Sequence, residues 1–375
     1  MSTYLVTGAT GFLGSHLVDA LLAEKHKVVA LSRRPLPTLE KRGVKVVIGN
    51  ILDGASVEKA AAGCDGLFHC AGVVSRDAED NRLMMEVNYG GTIITLDAAK
   101  AAGVPRCVYV STSGTVAISE EEGVIANEDS ETPYTIIGKW GYYRSKLYAE
   151  EEALKRNSKD FEVVCINPTI LLGPGDTKGS STNDVRMFLE GKVPANPTGG
   201  LSFVDVRDVA ACLVTAMDFG DGGQRYLLGA CNITFADFFG RLSRLSGVSA
   251  PTLPIPKNPF LASLGNSLFN KFQDLLGGEE GPDEVSLEMS SYYWYLDPSF
   301  AIKELEFQTR DPMTTLNDTI QDLRKRGVVW PTDSSNELLN DKLLQGAAVL
   351  GGELQNKYNN ARDAFIDSLF KRNGR

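Results

Sequence analysis

The feature that most constrains the fold of this chain is a glycine-rich turn close to its N-terminus. Residues 4–6 form a short apolar segment of strand character that stops at Gly8. Apolar residues then recur at helical spacing, at Leu13, Leu17, Leu21 and Leu22. The glycines at positions 8, 11 and 14 therefore lie on a turn between a strand and a helix. Backbone N–H groups and the positive helix end bind anions at such a turn, which predicts a site for a dinucleotide pyrophosphate.

Each of the three positions requires glycine for a different physical reason. Gly8 permits the tight turn, Gly11 lets backbone N–H groups approach the phosphates, and Gly14 allows the helix to lie near the strand. Their spacing is Gly-x-x-Gly-x-x-Gly, whereas the common dinucleotide fingerprint is Gly-x-Gly-x-x-Gly. The predicted cofactor contacts of this turn are Gly8, Thr10, Gly11, Phe12, Leu13 and Gly14.

Strand-like and helix-like segments alternate through the first half of the chain. Further strands are predicted at residues 28–31, 44–48, 66–70, 107–111 and 163–166. Helical patterns lie between most of them, for example at residues 88–102 and 142–155. This alternation predicts an α/β fold with a doubly wound parallel sheet of the Rossmann type.

The dinucleotide preference is predicted from Ser32, Arg33 and Arg34, which follow the second strand. An acidic residue at this place would bind the ribose hydroxyls of adenosine and select NAD, whereas arginines accommodate a 2′-phosphate. The two arginines favour NADP(H) as the cofactor. NAD(H) stays open as the alternative, in which the arginines only form a solvated loop.

Two later strand ends carry residues suited to the rest of the cofactor. The third strand is followed by Asn50 and Ile51, a polar and an apolar side chain where adenine would lie. The fourth strand is followed by Cys70, Ala71 and Gly72, which are small enough to let a cofactor pass over the sheet edge. Both sets are predicted cofactor contacts.

A candidate catalytic set follows from the fifth strand and the helical pattern after it. Ser111 and Ser113 lie at the carboxyl end of a parallel strand, where such sheets bind ligands. Tyr142 and Lys146 are four residues apart in a helical pattern, so they share one face. An ammonium about 4 Å from a phenol, at an effective dielectric of about 20, would lower the phenol pKa by about three units. Ser113, Tyr142 and Lys146 are therefore predicted to carry proton transfer.

The composition narrows the class of function. The formal charge of −10 and the lack of a basic run argue against general affinity for nucleic acid or anionic membranes. Six cysteines without Cys-x-x-Cys spacing predict reduced thiols, and three histidines without metal spacing predict no metal. No apolar run reaches the ~18 residues that span a bilayer, and the chain begins directly with its first strand, so a cytoplasmic location is expected.

Together these residues resemble the extended branch of the short-chain dehydrogenase/reductase superfamily, the NAD-dependent epimerase/dehydratase family. The resemblance covers about residues 3–327, and its motifs lie at 7–14, 69–72, 88–92, 111–113, 142–146, 168–175 and 203–210. Residues 167–176, 201–210 and 223–234 are similar to the dihydroflavonol-reductase-like and hopanoid-associated epimerase-like members.

The resemblance implies roles for the candidate residues. Tyr142 would pass a proton to or from the substrate oxygen, Ser113 would polarise that oxygen, and Lys146 would lower the tyrosine pKa and hold the nicotinamide ribose. The cofactor would carry the hydride. Further cofactor contacts implied by the family motifs are Ser111, Tyr142, Lys146, Pro168 and Ile170.

Two positions depart from the family pattern. Asn50 stands where relatives usually carry an aspartate, which weakens an adenine contact through that side chain. Val74 stands where sugar epimerases often place a polar or basic residue near the cofactor. The second departure argues against a typical nucleotide-sugar epimerase.

Three functions remain open from the sequence. The leading one is an NADP(H)-dependent oxidoreductase that interconverts a carbonyl and a secondary alcohol in a small-molecule substrate, with a lipophilic molecule as one candidate. The second is a nucleotide-sugar epimerase or dehydratase with tightly bound NAD, for which Lys178, Arg186 and Arg225 are candidate diphosphate contacts. The third is a non-catalytic dinucleotide-binding subunit of an assembly.

The predicted organisation has three parts. Residues 1–175 are mainly the Rossmann core, residues 176–327 mainly a substrate-binding lobe interleaved with returning strands, and residues 328–375 a linker and helical extension. The apolar stretch 255–276 is interpreted as core packing, with a lid over a lipophilic substrate or a membrane-surface patch as the alternatives. The resemblance implies a homodimer formed by the helices of residues 88–102 and 142–155. The C-terminal extension is expected to dock on its own chain, a second subunit or an unknown partner.

Overall fold

The structure is a computed structural model that describes residues 1–193, 195–252 and 284–329. Residues 1–252 and 284–328 of these ranges belong to one compact unit. The apolar stretch 255–276 and nearly all of the predicted C-terminal extension lie outside the described residues.

The central element of this unit is a seven-stranded sheet with the strand order β3-β2-β1-β4-β5-β6-β9, in which every neighbouring pair is parallel. Its strands are β1 Thr3–Thr7, β2 Lys27–Ser32, β3 Lys45–Ile48, β4 Gly66–His69, β5 Arg106–Val110, β6 Glu162–Pro168 and β9 Arg225–Leu228. The predicted doubly wound parallel sheet is confirmed, and the predicted strand positions differ only by a residue or two at their ends.

The chain reverses its winding direction between β1 and β4, and ligands bind at such a switch point in open α/β sheets. The strand register aligns the carboxyl ends, because Thr7 pairs with His69, His69 with Tyr109, and Val110 with Ile166. The residues that follow β1, β4, β5 and β6 therefore emerge along one edge of the sheet.

The described helices lie on both faces of this sheet and around the smaller sheet that follows it. They are α1 Phe12–Ala23, α2 Pro37–Glu40, α3 Gly54–Ala61, α4 Asn81–Met84, α5 Gly91–Ala101, α6 Tyr134–Ile137, α7 Gly141–Lys155, α8 Asn183–Leu189, α9 Val206–Phe219, α10 Phe235–Ser246, α11 Glu284–Met289, α12 Ser299–Leu305 and α13 Pro312–Lys325. A π-helical segment, Met85–Gly90, joins α4 to α5, so this helical stretch begins at Asn81 rather than at the predicted residue 88.

Alternation along the strands supplies one core on each face. Leu5 packs into the core on the side of α3, α5 and α7, whereas Tyr4 and Val6 pack on the side of α1, α9 and α12. The reason is that a parallel strand covered by helices on both faces has no solvent side, so every residue of it can be apolar.

A second, three-stranded sheet follows β6 and has the order β10-β8-β7. Its strands are β7 Ile170–Leu172, β8 Gly200–Asp205 and β10 Cys231–Thr234. Strand β7 pairs in parallel with β8, and β10 pairs with β8 in the antiparallel sense. Asp205 ends β8 and caps α9 by accepting a hydrogen bond from the backbone N–H of Arg207.

Candidate active site

The glycine turn joins β1 to α1 in a conformation that only small residues allow. Gly8 has φ +73°, and a Cβ there would lie 2.8 Å from the backbone of Cys70 and Ala71. A Cβ at Gly14 would lie 2.1 Å from the carbonyl oxygen of Gly8. The two positions therefore hold the ends of β1 and β4 and the first turn of α1 close together.

The N-terminus of α1 has the features of an anion site. The helix begins at Phe12, its N-cap is Gly11, and no side chain caps it. Gly11 donates its own N–H to the carbonyl of Gly8 at 2.8 Å, which fixes the turn. The N–H groups at the start of the helix are thus left for a ligand, and they fit the pyrophosphate of a dinucleotide.

The residues predicted to meet the adenosine end lie at the surface. Arg33 and Arg34 are exposed, and neither forms an ion pair within the part of the chain that the structure describes. Asn50 is also exposed, and its side-chain oxygen accepts a hydrogen bond from the N–H of Leu52 at 3.2 Å. The Asn50 side chain thereby stabilises its own turn.

Ser113 lies on a buried 3₁₀ turn, Ser113–Thr115, directly after β5. This turn packs against α7, and a Cβ at Gly114 would lie 2.2 Å from the Tyr143 ring. The Ser113 hydroxyl forms no hydrogen bond with any residue of the described ranges, whereas the Ser111 hydroxyl donates to Glu150 at 2.5 Å. Of the two strand-end serines, Ser113 is the one whose hydroxyl is left for a ligand.

Tyr142 and Lys146 lie one turn apart on α7. The Lys146 ammonium is buried and donates to the Tyr109 hydroxyl at 2.7 Å and to the Val110 carbonyl at 2.8 Å. The Tyr142 hydroxyl has no hydrogen-bond partner among the described residues, and its ring packs edge-on against Tyr143 at 5.1 Å between centroids. The structure thus brings Ser113, Tyr142 and Lys146 to adjoining segments at the ligand-binding edge of the sheet.

The protonation of this set is dominated by burial. Burial raises the pKa of Tyr142 above its usual value, and Tyr143 raises it further. Burial lowers the pKa of Lys146 to about 8, and Glu150 acts in the opposite direction. The expected net lowering of the Tyr142 pKa is therefore wrong for the residues of the chain alone, because burial of the phenol dominates and the Lys146 ammonium is turned toward Tyr109.

Residues 4–229 match the model of the NAD dependent epimerase/dehydratase family, which is more than half of the chain. The chain belongs to this family. As a member of the family it is an NAD(P)-dependent oxidoreductase of the extended short-chain dehydrogenase/reductase type, as the sequence predicted.

Two curated relatives extend the likeness over most of the chain. A protein of Synechocystis sp. named as a dihydroflavonol 4-reductase is 32% identical over 335 residues, which are 87% of this chain and 96% of that protein. Sterol demethylase protein B of Methylococcus capsulatus is 34% identical over 257 residues, which are 68% of this chain and 77% of that protein.

Solved structures of the family share the fold. The structure of gox2253 has a TM-score of 0.75 and 28% identity, covering 88% of this chain and 100% of that one. MoeE5 in complex with UDP-glucose and NAD has a TM-score of 0.66 and 22% identity, covering 86% and 99% of the two chains. At 22% identity, the likeness to MoeE5 shows only that the two chains share a fold.

Within this family fold, an asparagine that the sequence analysis noted only as part of a motif connects the site segments. Asn88 lies in the π-helical segment, accepts a hydrogen bond from the Val73 N–H at 2.7 Å, and donates to the Val73 carbonyl at 2.9 Å. It also donates to the Ser145 hydroxyl at 3.0 Å, next to Lys146. Asn88 therefore ties the loop after β4 to α7.

The sequence analysis also did not include His69 among the site residues. This buried histidine contacts Thr7, directly before the glycine turn. His69 Nδ1 lies 2.7 Å from Thr7 Oγ1, and its Nε2 lies 3.1 Å from Thr92 Oγ1. Because the Thr92 hydroxyl donates to the Asn88 carbonyl at 2.6 Å, it must accept from His69, which assigns the proton to Nε2. Burial and the Lys146 charge lower the pKa of His69 to about 3, so the ring is neutral.

Glu150 and Tyr109 are further residues that sequence reasoning missed. Glu150 follows Lys146 by the same helical spacing that joins Tyr142 to Lys146, so periodicity could have identified it. Tyr109 lies inside an apolar strand, and the sequence gives no signal that its hydroxyl meets Lys146.

Two further predicted cofactor contacts and two predicted diphosphate contacts can also be located in the structure. Pro168 is buried at the end of β6, and Ile170 is 36% exposed on β7. Arg186 hydrogen-bonds to Asn183, and Arg225 pairs with Glu150.

The described residues include no helix long and apolar enough to cross a membrane. Within the same ranges no group of three or more His, Cys, Asp or Glu side chains is arranged to hold a metal ion. All six cysteines lie in the described ranges and carry free thiols.

Proposed function

We propose that this protein is an NADP(H)-dependent oxidoreductase that interconverts a carbonyl and a secondary alcohol. The observation that carries the proposal is the pair of hydroxyls on Ser113 and Tyr142, which have no hydrogen-bond partner in the described ranges. They lie on adjoining segments at the edge of the sheet, with Lys146 one helical turn from Tyr142. Two hydroxyl donors can meet one carbonyl oxygen there, which is the arrangement that reduction of a ketone or aldehyde requires.

The residues divide the work of such a reaction. When bound, the reduced dinucleotide supplies the hydride. Ser113 donates a hydrogen bond to the carbonyl oxygen and orients it. Tyr142 donates the proton that this oxygen takes up. The raised pKa of Tyr142 suits this direction, because the phenol keeps its proton until the oxygen becomes basic.

The chain's own residues can hold the cofactor. The uncapped start of α1 would hold the pyrophosphate, and the small residues Cys70, Ala71 and Gly72 after β4 would let the cofactor pass over the sheet edge. Arg33 and Arg34 are exposed and without ion pairs in the described ranges, so both are free to bind a 2′-phosphate. These two residues support NADP(H) over NAD(H).

The basic residues weighed for the epimerase alternative are mostly engaged elsewhere. Arg225 pairs with the buried Glu150, and Arg186 bonds to Asn183 and Glu190. Binding of a nucleotide-sugar diphosphate would have to release them. Reduction of a small carbonyl substrate does not require these arginines to leave their partners. Two relatives are also named as reductases, which supports the same reaction.

The experiment uses the purified full chain after removal of bound nucleotide. NADPH and NADH are titrated by fluorescence against the wild type, the Arg33→Ala/Arg34→Ala variant and the control Arg42→Ala, whose arginine pairs with Asp19. We expect the double variant to lose NADPH affinity about 10- to 100-fold and the control to retain it. Preference of the wild type for NADH would overturn the assignment of the cofactor.

The catalytic half is tested with a panel of ketones and aldehydes and NADPH oxidation as the readout. Tyr142→Phe should lower turnover about 10²- to 10⁴-fold while NADPH affinity stays within about twofold of the wild type. Unchanged turnover in this variant would reject the mechanism. Nucleotide that cannot be removed, together with interconversion of sugar nucleotides without net cofactor consumption, would support the epimerase instead.

A further inference from the structure

The carboxylate of Glu150 is the most deeply buried charged group beside the candidate site. Glu150 is 1% exposed and lies on α7, one turn beyond Lys146. Its Oε2 accepts from the Ser111 hydroxyl at 2.5 Å and from the Asn167 side-chain amide at 2.7 Å, and lies 2.9 Å from Thr115 Oγ1. Its Oε1 lies 3.3 Å from Nε of Arg225.

A carboxylate in such a place is costly. Removing it from water costs several kcal/mol, and only good hydrogen bonds and an opposite charge can offset that. An apolar residue would pack between α7 and the sheet without this cost. A carboxylate at this position therefore calls for a role other than packing.

The contacts of Glu150 join the two segments that carry the candidate catalytic groups. Ser111 and Thr115 flank Ser113 on either side along the chain, and both contact the same carboxylate oxygen. Glu150 itself shares one face of α7 with Tyr142 and Lys146. The carboxylate thus bridges the Ser113 segment directly to the helix of Tyr142.

The bridge is anchored in the sheet as well. Asn167 on β6 donates to Glu150 and also to the Thr112 carbonyl at 3.0 Å. Arg225 on β9 faces the other carboxylate oxygen. Strands β5, β6 and β9 therefore all contribute to the position of this one side chain.

Glu150 also lies one helical turn from Lys146 and is a negatively charged neighbour of its ammonium, in addition to pairing with Arg225. The titratable groups that face Lys146 are Tyr109 on β5, His69 and Cys70 at the end of β4, Cys165 on β6 and Glu150 on its own helix. Burial raises the pKa of Cys70 to about 12 and that of Cys165 well above its usual value, so both thiols are neutral at pH 7. Glu150 is the one carboxylate in this group.

We propose that Glu150 is a positioning residue, which holds the Ser113 turn against the helix of Tyr142 and provides the negative charge that keeps Lys146 an ammonium. The positioning half rests on the proposed function, since it concerns the reaction of Ser113 and Tyr142. The charge half concerns the chain alone.

The charge half is tested by NMR on protein with ¹³Cε-labelled lysine, in which the Lys146 resonance is assigned by its loss in Lys146→Arg. Glu150→Gln keeps the size of the side chain and removes its charge. We expect the Lys146 titration midpoint to fall by about one pH unit in this variant and to stay unchanged in Glu151→Gln, whose carboxylate binds the exposed Tyr134 hydroxyl. A midpoint in Glu150→Gln equal to that of the wild type would overturn the proposal.

The positioning half is tested by Glu150→Asp, which keeps the charge but is too short to reach the donors after β5. The Lys146 midpoint should stay near that of the wild type, while kcat for ketone reduction falls about tenfold at every pH and NADPH affinity is retained. In Glu150→Gln the alkaline loss of activity should instead move to lower pH together with the NMR midpoint. Wild-type kcat in Glu150→Asp would contradict the positioning role.

Folding of each variant is checked by circular dichroism and thermal melting. Should Glu150→Gln fail to fold, Thr115→Val removes one contact of the carboxylate and keeps the charge. Its kcat should fall several-fold with unchanged NADPH affinity, and an unchanged kcat would reject the bridge. Absence of NADPH-dependent reduction in the wild type would reject the proposed function, while the Lys146 titration would still decide the charge half.

Discussion

The ammonium of Lys146 lies 2.7 Å from the hydroxyl of Tyr109 and 4.4 Å from the centre of its ring. One buried side chain thus offers Lys146 both a hydrogen-bond acceptor and an aromatic face. The two residues come from α7 and β5, and their meeting fixes the direction in which the lysine points.

Removal of the Tyr109 hydroxyl should change the orientation of the Lys146 ammonium without creating a large cavity in the core. In Tyr109→Phe the ring and its cation–π contact remain, but one hydrogen bond to a charged group is lost, worth about 1.5 kcal/mol. We expect kcat/KM for ketone reduction to fall about tenfold. The control is Tyr148→Phe on α7, the helix of Lys146, where the hydroxyl belongs to an exposed ring. Equal losses in both variants would contradict a specific role for Tyr109.

Gly14→Ala should disturb the cofactor turn. The new Cβ would lie 2.1 Å from the Gly8 carbonyl oxygen, and this oxygen belongs to the backbone of the tight turn, which cannot move away freely. We expect a loss of stability of about 2 kcal/mol or more, measured by urea unfolding, and NADPH affinity weakened more than tenfold. Gly54→Ala is the control, because its nearest neighbour is the Ile94 side chain at 3.7 Å. Normal NADPH binding by Gly14→Ala would show that close packing of α1 on the turn is dispensable.

The neutral His69 should make the fold sensitive to acid. Its pKa is lowered from 6.5 to about 3, so below pH 6.5 the unfolded chain binds a proton that the folded chain does not. The contribution of the neutral His69 to the free energy of unfolding is therefore fully present above pH 6.5 and is lost as the pH falls toward 3. At pH 5 the loss from this residue is about 2 kcal/mol. In His69→Gln, urea unfolding between pH 7 and pH 5 should show a correspondingly smaller loss, and an identical slope would refute the assignment.

Asp205→Asn should destabilise the contact between α9 and α13. The buried carboxylate of Asp205 pairs with Arg207 and Arg310 and accepts from the Thr315 hydroxyl at 3.0 Å. An amide would remove the carboxylate that the two guanidinium groups share and leave each with a single carboxylate partner, Asp318 for Arg207 and Asp208 for Arg310, at a cost of about 2 kcal/mol. Asp318→Asn is the control, since Asp318 is 32% exposed and contacts Arg207 alone of these two arginines. Thermal melting should show a much larger decrease for Asp205→Asn, and equal decreases would contradict this reading.

The sequence by itself determined the parts of the protein that depend on neighbouring residues. The glycine turn, the alternation of strands and helices, and the spacing of Tyr142 and Lys146 can be predicted from the sequence. The reason is that hydrophobic periodicity and turn formation depend on residues that are neighbours along the chain. From these the parallel sheet and the family could be predicted before any contact was known. The NADP(H) preference, the catalytic roles and the homodimer stay predictions.

Only the tertiary structure decided what each buried polar group meets. The chain separates Glu150 from Ser111, and Lys146 from Tyr109, by whole elements of structure, and no periodicity joins them. The lowering of the Tyr142 pKa expected from helical spacing failed for the same reason. Burial and the direction of the Lys146 ammonium depend on which strands pack beneath α7, and the free energy of a buried charge is set by those distant neighbours.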